Sequence, residues 1–295
     1  MPAMRMHADE VATDETLVRR LLAAQFPQWA GLPARLVPSY GTDHDVYRLG
    51  ADLVVRLPRI GWAAQQAARE ATWLPWLAPQ VPLALPEPVG LGEPQDGYPF
   101  PWSVCRWLPG ENADGTIDDL DRAAGDLAGF VRAMRRLDPA LAPDDMRHDL
   151  TGPQSGDEDV RRSIAQLGDR IDGPATLRSW EETMEAAPHD GPGAWVHGDL
   201  LPGNVLVTGG RITAAIDFGG LSVRDPSRDL LAAWTIFTGT SRERYREALE
   251  ADDASWLRGR GWALRQAVGA LSYYWDTNPG MVRMATRELR EVLIG

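Results

Sequence analysis

Apolar residues at Leu17, Val18, Leu21, Leu22 and Phe26 recur at helical spacing, and Thr13 and Asp14 precede them as possible caps. Shorter apolar runs at 35–38, 45–49 and 53–57 predict strands, with Gly50-Ala51-Asp52 as a hairpin turn between the last two. Helix formers dominate from 62 to 77, where Pro75 should end or kink the helix. A proline-rich stretch at 79–88 reads as an extended loop, and 88–92 and 102–107 read as two more strands. Together these describe a small antiparallel sheet with one inserted helix.

The pattern changes after Leu108-Pro109-Gly110. Ile117, Leu120, Ala124, Leu127, Val131, Met134 and Leu137 form one helical stripe, with Thr116 as candidate N-cap. Residues 157–187 carry a second helical region and 226–293 several more. Between them lie β-type runs at 204–208 and 212–218, separated by Gly209-Gly210, which should pair as a hairpin. The expected class is α+β, with a sheet-rich N-terminal lobe over 1–107 and a larger, mainly helical lobe over 108–295.

Charge narrows the partners. Thirty basic residues against 42 acidic ones give a formal charge of −12, which repels nucleic-acid backbones and anionic membranes and suits a cationic small molecule. A single cysteine, Cys105, excludes an intrachain disulfide. The first fifteen residues lack the apolar run of a secretory signal. The longest apolar stretch, 230–240, is too short to span a bilayer, so a soluble cytoplasmic protein is expected. All 30 basic residues are arginine. Any step that needs a side-chain cation must therefore use arginine or protonated histidine.

The chemistry concentrates in Trp195-Val196-His197-Gly198-Asp199-Leu200-Leu201-Pro202-Gly203-Asn204. An Asp five residues before an Asn, across a Pro-Gly turn into a hairpin, has the spacing of a kinase catalytic loop. Asp217-Phe218-Gly219 follows thirteen residues after Asn204. Phosphoryl transfer builds charge on phosphate oxygens that Mg²⁺ neutralises. Magnesium takes hard oxygen ligands, so the Asn204 amide and the Asp217 carboxylate are the candidate metal ligands. Asp199 is left to orient an acceptor hydroxyl and take its proton.

These residues, with Ile216 before Asp217 and the stretch Arg224-Asp225-Pro226-x-x-Asp229-Leu230, resemble the aminoglycoside and macrolide phosphotransferase family. The resemblance covers about residues 35–235. It implies a two-lobed protein-kinase-like fold, Mg²⁺, ATP or GTP as donor, and transfer of the γ-phosphate to a hydroxyl of a small molecule. An antibiotic, aminoglycoside ahead of macrolide, is the first acceptor expected. A metabolic kinase of the choline, sugar or amino-acid type remains open, as does a catalytically inactive ligand sensor.

The resemblance also places Arg56, on the strand at 53–57, where the fold usually has a phosphate-binding lysine. Arg59 competes for that role, and Glu70 is the candidate helix partner. The loop that should contact phosphates has only Gly41 and Thr42 to offer within Ser39-Tyr40-Gly41-Thr42-Asp43-His44-Asp45, and Asp43 and Asp45 are expected to point away from phosphates or hold the turn. Cys105 to Trp107 should link the lobes and offer edge backbone groups to a purine. His197 reads as either a loop-fixing residue or an acceptor contact, and Asp225 and Asp229 as residues that hold the loop and cap a helix. Most of the twelve tryptophans should pack the core. Tyr273-Tyr274-Trp275-Asp276 is the acceptor-side candidate, with Asp276 able to meet an ammonium or hydroxyl group.

Overall fold

The computed structural model describes residues 9–38, 41–95, 97–148 and 150–295. They divide into two compact units, one of Met1–Gln80 with Ala84–Pro109, the other of Val81–Leu83 with Gly110–Gly295.

The first unit opens with α1 (Glu15–Gln25), whose Asp14 side chain accepts the Leu17 N–H. Thr13, the other candidate cap, instead uses its hydroxyl on Asp45 and Tyr47. Five strands follow: β1 (Ala34–Leu36), β2 (His44–Leu49), β3 (Leu53–Pro58), then after α2 (Gln66–Leu77) β4 (Pro88–Gly92) and β5 (Trp102–Arg106). Their order in the sheet is β1-β2-β3-β5-β4, all antiparallel. Leu17, Val18, Leu21 and Leu22 of α1 bury against Tyr47, Leu49, Val55, Trp102 and Val104 of the sheet. That burial sets the strand register, because a slip of one residue would turn the whole apolar face outward. Pro75 does not end α2, which continues to Leu77, and the Ala78 N–H still bonds to Leu74 O. So near the helix end the proline removes only one ladder bond.

The second unit contains β6 (Glu111–Asn112), α3 (Leu120–Arg135), α4 (Asp157–Leu167), α5 (Gly173–Glu185), β7 (Ala194–Val196), β8 (Val205–Thr208), β9 (Arg211–Ala215), β10 (Ser222–Arg224), α6 (Ala232–Thr235), α7 (Gly239–Ala248), α8 (Asp253–Tyr274) and α9 (Pro279–Ile294). The expected N-cap Thr116 does not start α3. Its hydroxyl donates to Asn112 O, and Asp119 caps the helix by accepting the Arg122 N–H at 3.0 Å. The predicted helical region 157–187 is two helices, because Asp172 recaps the chain by accepting the Ala175 N–H.

β8 and β9 form the expected hairpin, joined by β6. β9 stops at Ala215 rather than at 218, since Ile216 turns away to bond Asn204 and His197. β7 and β10, three residues each, pair antiparallel with Val196 opposite Ser222. α8 lies closely against its neighbours: a Cβ on Gly259 would stand 2.5 Å from Leu230 Cβ, and one on Gly261 would collide with Thr183 of α5. No helix among the described residues is long and apolar enough to cross a membrane.

Candidate active site

In the second unit the loop after β7 is held by its backbone. Asp229, fully buried, accepts the His197 N–H at 2.9 Å and the Gly198 N–H at 2.8 Å through its two oxygens. Arg228 donates its Nε–H to Gly198 O at 2.7 Å. Gly198 has φ +83°, and a Cβ there would collide with Gly220 O, so only glycine fits this crossing.

His197 is completely buried. Its Nδ1 accepts the Asp199 N–H at 3.2 Å and its Nε2–H donates to Ile216 O at 3.1 Å, which fixes a neutral ring with the proton on Nε2. Its ring packs at 4.5 Å from Phe218. The structure therefore places His197 as a tie between the loop and the strand end before Asp217, not as the acceptor contact that was its other expected role.

Asn204 Nδ2 donates to both Asp199 O (2.9 Å) and Asp199 Oδ2 (2.8 Å). With the amide nitrogen committed to two oxygens, its Oδ1 faces elsewhere and is available as an oxygen donor. Ile216 N–H bonds to Asn204 O at 2.9 Å, which brings Asp217 alongside. Asp217 has φ +63°, a left-handed conformation that a non-glycine residue adopts at a cost, and such strain concentrates at functional sites. Asp199, Asn204 and Asp217 are thus brought together by a connected set of bonds. Among the described residues no three His, Cys, Asp or Glu side chains are placed to hold a metal. One carboxylate with one amide oxygen is nevertheless a donor set suited to Mg²⁺, which keeps most of its coordination for water and phosphate.

In the first unit Arg56 on β3 pairs with Glu70 of α2, which is 2% exposed and also accepts from Gln66 Nε2 at 3.0 Å. Arg59 is buried and paired with Glu10 at 2.9 Å and Asp45 at 3.7 Å. Burial is the main reason the Asp45 carboxyl lies above its ordinary range. Arg59 thus ties the segment at residue 10 to β2, and Asp45 also accepts the Thr13 hydroxyl at 2.6 Å. Thr42 donates its hydroxyl to Asp43 at 2.9 Å. Ser39 and Tyr40 of the predicted phosphate loop lie outside the described residues.

The expected purine-binding edge is not an edge. β5 sits between β3 and β4, with Cys105 opposite Val54 on one side and Pro88 on the other. The Arg106 and Trp107 N–H groups are taken by Glu87 O and Asp52 O. Cys105 is buried, and burial pushes its thiol up to about 11. The Trp107 ring is covered by the Arg48 guanidinium at 4.0 Å.

Tyr274 ends α8, Trp275 lies under the Arg170 guanidinium at 4.8 Å, and Asp276 is exposed. Thirteen residues of helical rise, about 20 Å, separate Trp275 from Trp262, whose ring lies 4.8 Å from the Arg228 guanidinium beside the loop. The structure thus does not bring the Tyr274–Asp276 candidates to Asp199. A carboxyl that does feel the Asp199 charge is Glu288 of α9, 1% exposed, with neither oxygen hydrogen-bonded. Sequence reasoning missed it. Its apolar neighbours on α9 gave it the pattern of an ordinary amphipathic helix, and no local motif marks it.

The sequence profile of the phosphotransferase enzyme family matches residues 35–264. No curated protein matches the chain. Among solved structures, the GDP and kanamycin complex of APH(2")-IIIa superposes with a TM-score of 0.74 at 19% identity, over 92% of this chain and 98% of that one. The ADP-bound aminoglycoside phosphotransferase APH(2")-Ib gives 0.60 at 16% identity, covering 95% and 97%. Macrolide 2'-phosphotransferase type I gives 0.66 at 20% identity, covering 95% and 98%. At these identities the likeness is one of fold, and the fold is the two-lobed kinase-like one that the family resemblance implies.

Proposed function

The chain belongs to the phosphotransferase enzyme family, and from that premise we propose that it moves the γ-phosphate of ATP or GTP to a hydroxyl of a small molecule. The observation that carries this reading is the Asn204–Asp199 hydrogen bond at 2.8 Å, which orients a carboxylate and an amide oxygen in one loop beside Asp217. Asp199 accepts the proton of the acceptor hydroxyl as its oxygen bonds to the γ-phosphorus. The bond to the β–γ bridging oxygen breaks, and the nucleoside diphosphate leaves. Asn204 Oδ1 and the Asp217 carboxylate would hold Mg²⁺. When bound, that ion neutralises charge on the phosphate oxygens.

Arg56, set by Glu70, would contact the donor's phosphates with a fork that grips two oxygens and keeps its charge at any working pH. The antibiotics bound in the structural neighbours, such as kanamycin, belong in the acceptor panel.

A coupled nucleotide-consumption assay with ATP and GTP, run across aminoglycosides, macrolides, choline and amino sugars, tests the proposal. Turnover with at least one acceptor, lost by about a thousandfold or more in Asp199→Ala while nucleotide affinity is kept, supports it. Near-normal turnover in that variant sinks the role of Asp199. Tight nucleotide binding with no turnover on any acceptor would favour the inactive sensor.

A further inference from the structure

This chain pairs its buried arginines with carboxylates: Arg59 with Glu10, Arg242 with Glu291, Arg258 with Asp225. Three half-buried arginines, Arg228 on the Asp199 loop and Arg224 and Arg265 coupled to it, break that pattern. Arg228 uses only its Nε, on Gly198 O. Arg224 uses its Nε on Ser222 Oγ at 3.1 Å, and Arg265 its Nη1 on Ser155 Oγ at 3.3 Å. Among the described residues none of the three is in an ion pair, and none of their nitrogens is both sealed from solvent and without a partner.

They also converge. The Arg228 and Arg265 guanidiniums lie 4.8 and 5.5 Å from the same Trp262 ring, whose residue is only 7% exposed. Arg224 feels the charge of both Arg228 and Arg265, and Arg228 that of Arg265. After burial, the neighbouring guanidinium of Arg228 is the main cause that brings Arg224 down to about 10. Arg228 is likewise lowered, chiefly by burial, and the largest opposing influence on it is the Asp199 carboxylate.

Among the described residues, none of the nearby acids forms an ion pair with these three. Asp229 is committed to two backbone N–H groups and Asp225 to Arg258. Glu288 of α9 is coupled to Arg228, but burial holds its carboxyl well above the usual range. Three guanidiniums therefore gather with no ion pair, against the carboxylates of Asp199 and Asp229, in a chain whose total charge is −12. Like charges packed together and partly desolvated cost free energy that an anion would return. Arginine forks match carboxylate and phosphate oxygens two at a time.

We propose that Arg224, Arg228 and Arg265 form an anion-binding subsite beside Asp199, so that the acceptor is a hydroxyl compound carrying a carboxylate or phosphate group. This rests on the reading of Asp199 as the base of a small-molecule kinase. It departs from the expectation drawn from total charge, because the local sign beside the base is the opposite one. A polycationic acceptor would meet repulsion at this wall.

The test uses the full chain saturated with Mg²⁺ and a β,γ-imido nucleotide, so that the γ position is filled. Inorganic phosphate and gluconate are titrated calorimetrically into the wild type, Arg224→Gln, Arg265→Gln and, as a surface control, Arg211→Gln. The expected result is binding of one or both anions, weakened at least tenfold by R224Q and R265Q and unchanged by R211Q, with nucleotide affinity within twofold throughout. Which anion binds distinguishes the carboxylate from the phosphate source. Thermal melts of R265Q confirm that the fold is kept, and Arg265→Glu should weaken the anion further.

In parallel, nucleotide consumption is compared with glucose, gluconate, glucose 6-phosphate, glucosamine and kanamycin. The anionic sugars should lead, and R265E should abolish that lead. Equal anion affinity in the wild type and R265Q overturns the subsite, as do variants that weaken nucleotide instead of anion, or a wild type that prefers glucosamine or kanamycin. Anion binding that depends on Arg265, with no turnover on any acceptor, supports the subsite and overturns the kinase reading, so the two failures are told apart.

Discussion

Replacing Asp229 with asparagine keeps the shape of the side chain and removes what it does. Both carboxylate oxygens accept backbone N–H groups, from His197 at 2.9 Å and Gly198 at 2.8 Å, with no exposure to solvent. An amide offers one oxygen and one NH₂, so in either orientation a donor faces a donor. The variant loses one charge-assisted bond, worth about 1.5–3 kcal/mol, and leaves one buried N–H unsatisfied at a cost of about 1–3 kcal/mol. The expected destabilisation is about 3–5 kcal/mol, near the top of the range for a single substitution. Urea unfolding of wild type and D229N, compared at the midpoint with a shared slope, measures it. Because these bonds fix the residue next to Asp199, kcat should also fall by about a hundredfold, the scale expected for a misplacement near 1 Å. A loss below about 1 kcal/mol, with kcat unchanged, would refute the view that this carboxylate holds the loop.

Arg56→Ala should weaken nucleotide binding and also lower the melting temperature, since it strands the buried Glu70 charge at a cost of about 3–5 kcal/mol. Adding Glu70→Gln should restore the melting temperature without restoring binding; recovery of both would make the pair structural only. Glu288 carries a raised carboxyl, so the folded chain holds a proton that the unfolded chain releases above about pH 4.5. Its contribution to stability is complete below that pH and declines as pH rises toward the folded value. Glu288→Gln should therefore gain in melting temperature relative to wild type between pH 4 and pH 8, and a pH-independent difference would contradict this. Cys105, buried and raised to about 11, should resist a thiol reagent at pH 8 until the chain is denatured. Rapid labelling of the folded chain would contradict its burial.

Local signals carried far in this sequence where the chemistry itself is local. The Gly50-Ala51-Asp52 turn joins β2 to β3, and the five-residue step from Asp199 to Asn204 appears as a direct hydrogen bond. Where tertiary pairing decides, the sequence was silent. β7 and β10 are three residues each and meet across an intervening hairpin, so neither has a periodicity of its own to show. Thr116 has the right residue type for a cap but bonds Asn112, while Asp119 takes the cap at the point where the helix actually begins. The arginine cluster was invisible for the same reason. Arg224 and Arg228 lie near Asp217 in sequence, but Arg265 reaches them only through the packing of α8 around Trp262. Asp276 was the natural acidic candidate near an aromatic run, yet it lies beyond the far end of that helix, whereas Glu288 on α9 is the carboxyl coupled to Asp199.

The close seating of α8 at Gly259 and Gly261 has a consequence for how this enzyme can diverge. A helix pressed that tightly has no slack, so it cannot drift sideways to admit a bulkier ligand. New preferences must arise by exchange of individual side chains on its inner face, as at Trp262 or Arg265. Lineages or laboratory selections that acquire a different substrate should therefore change those positions while leaving both glycines untouched.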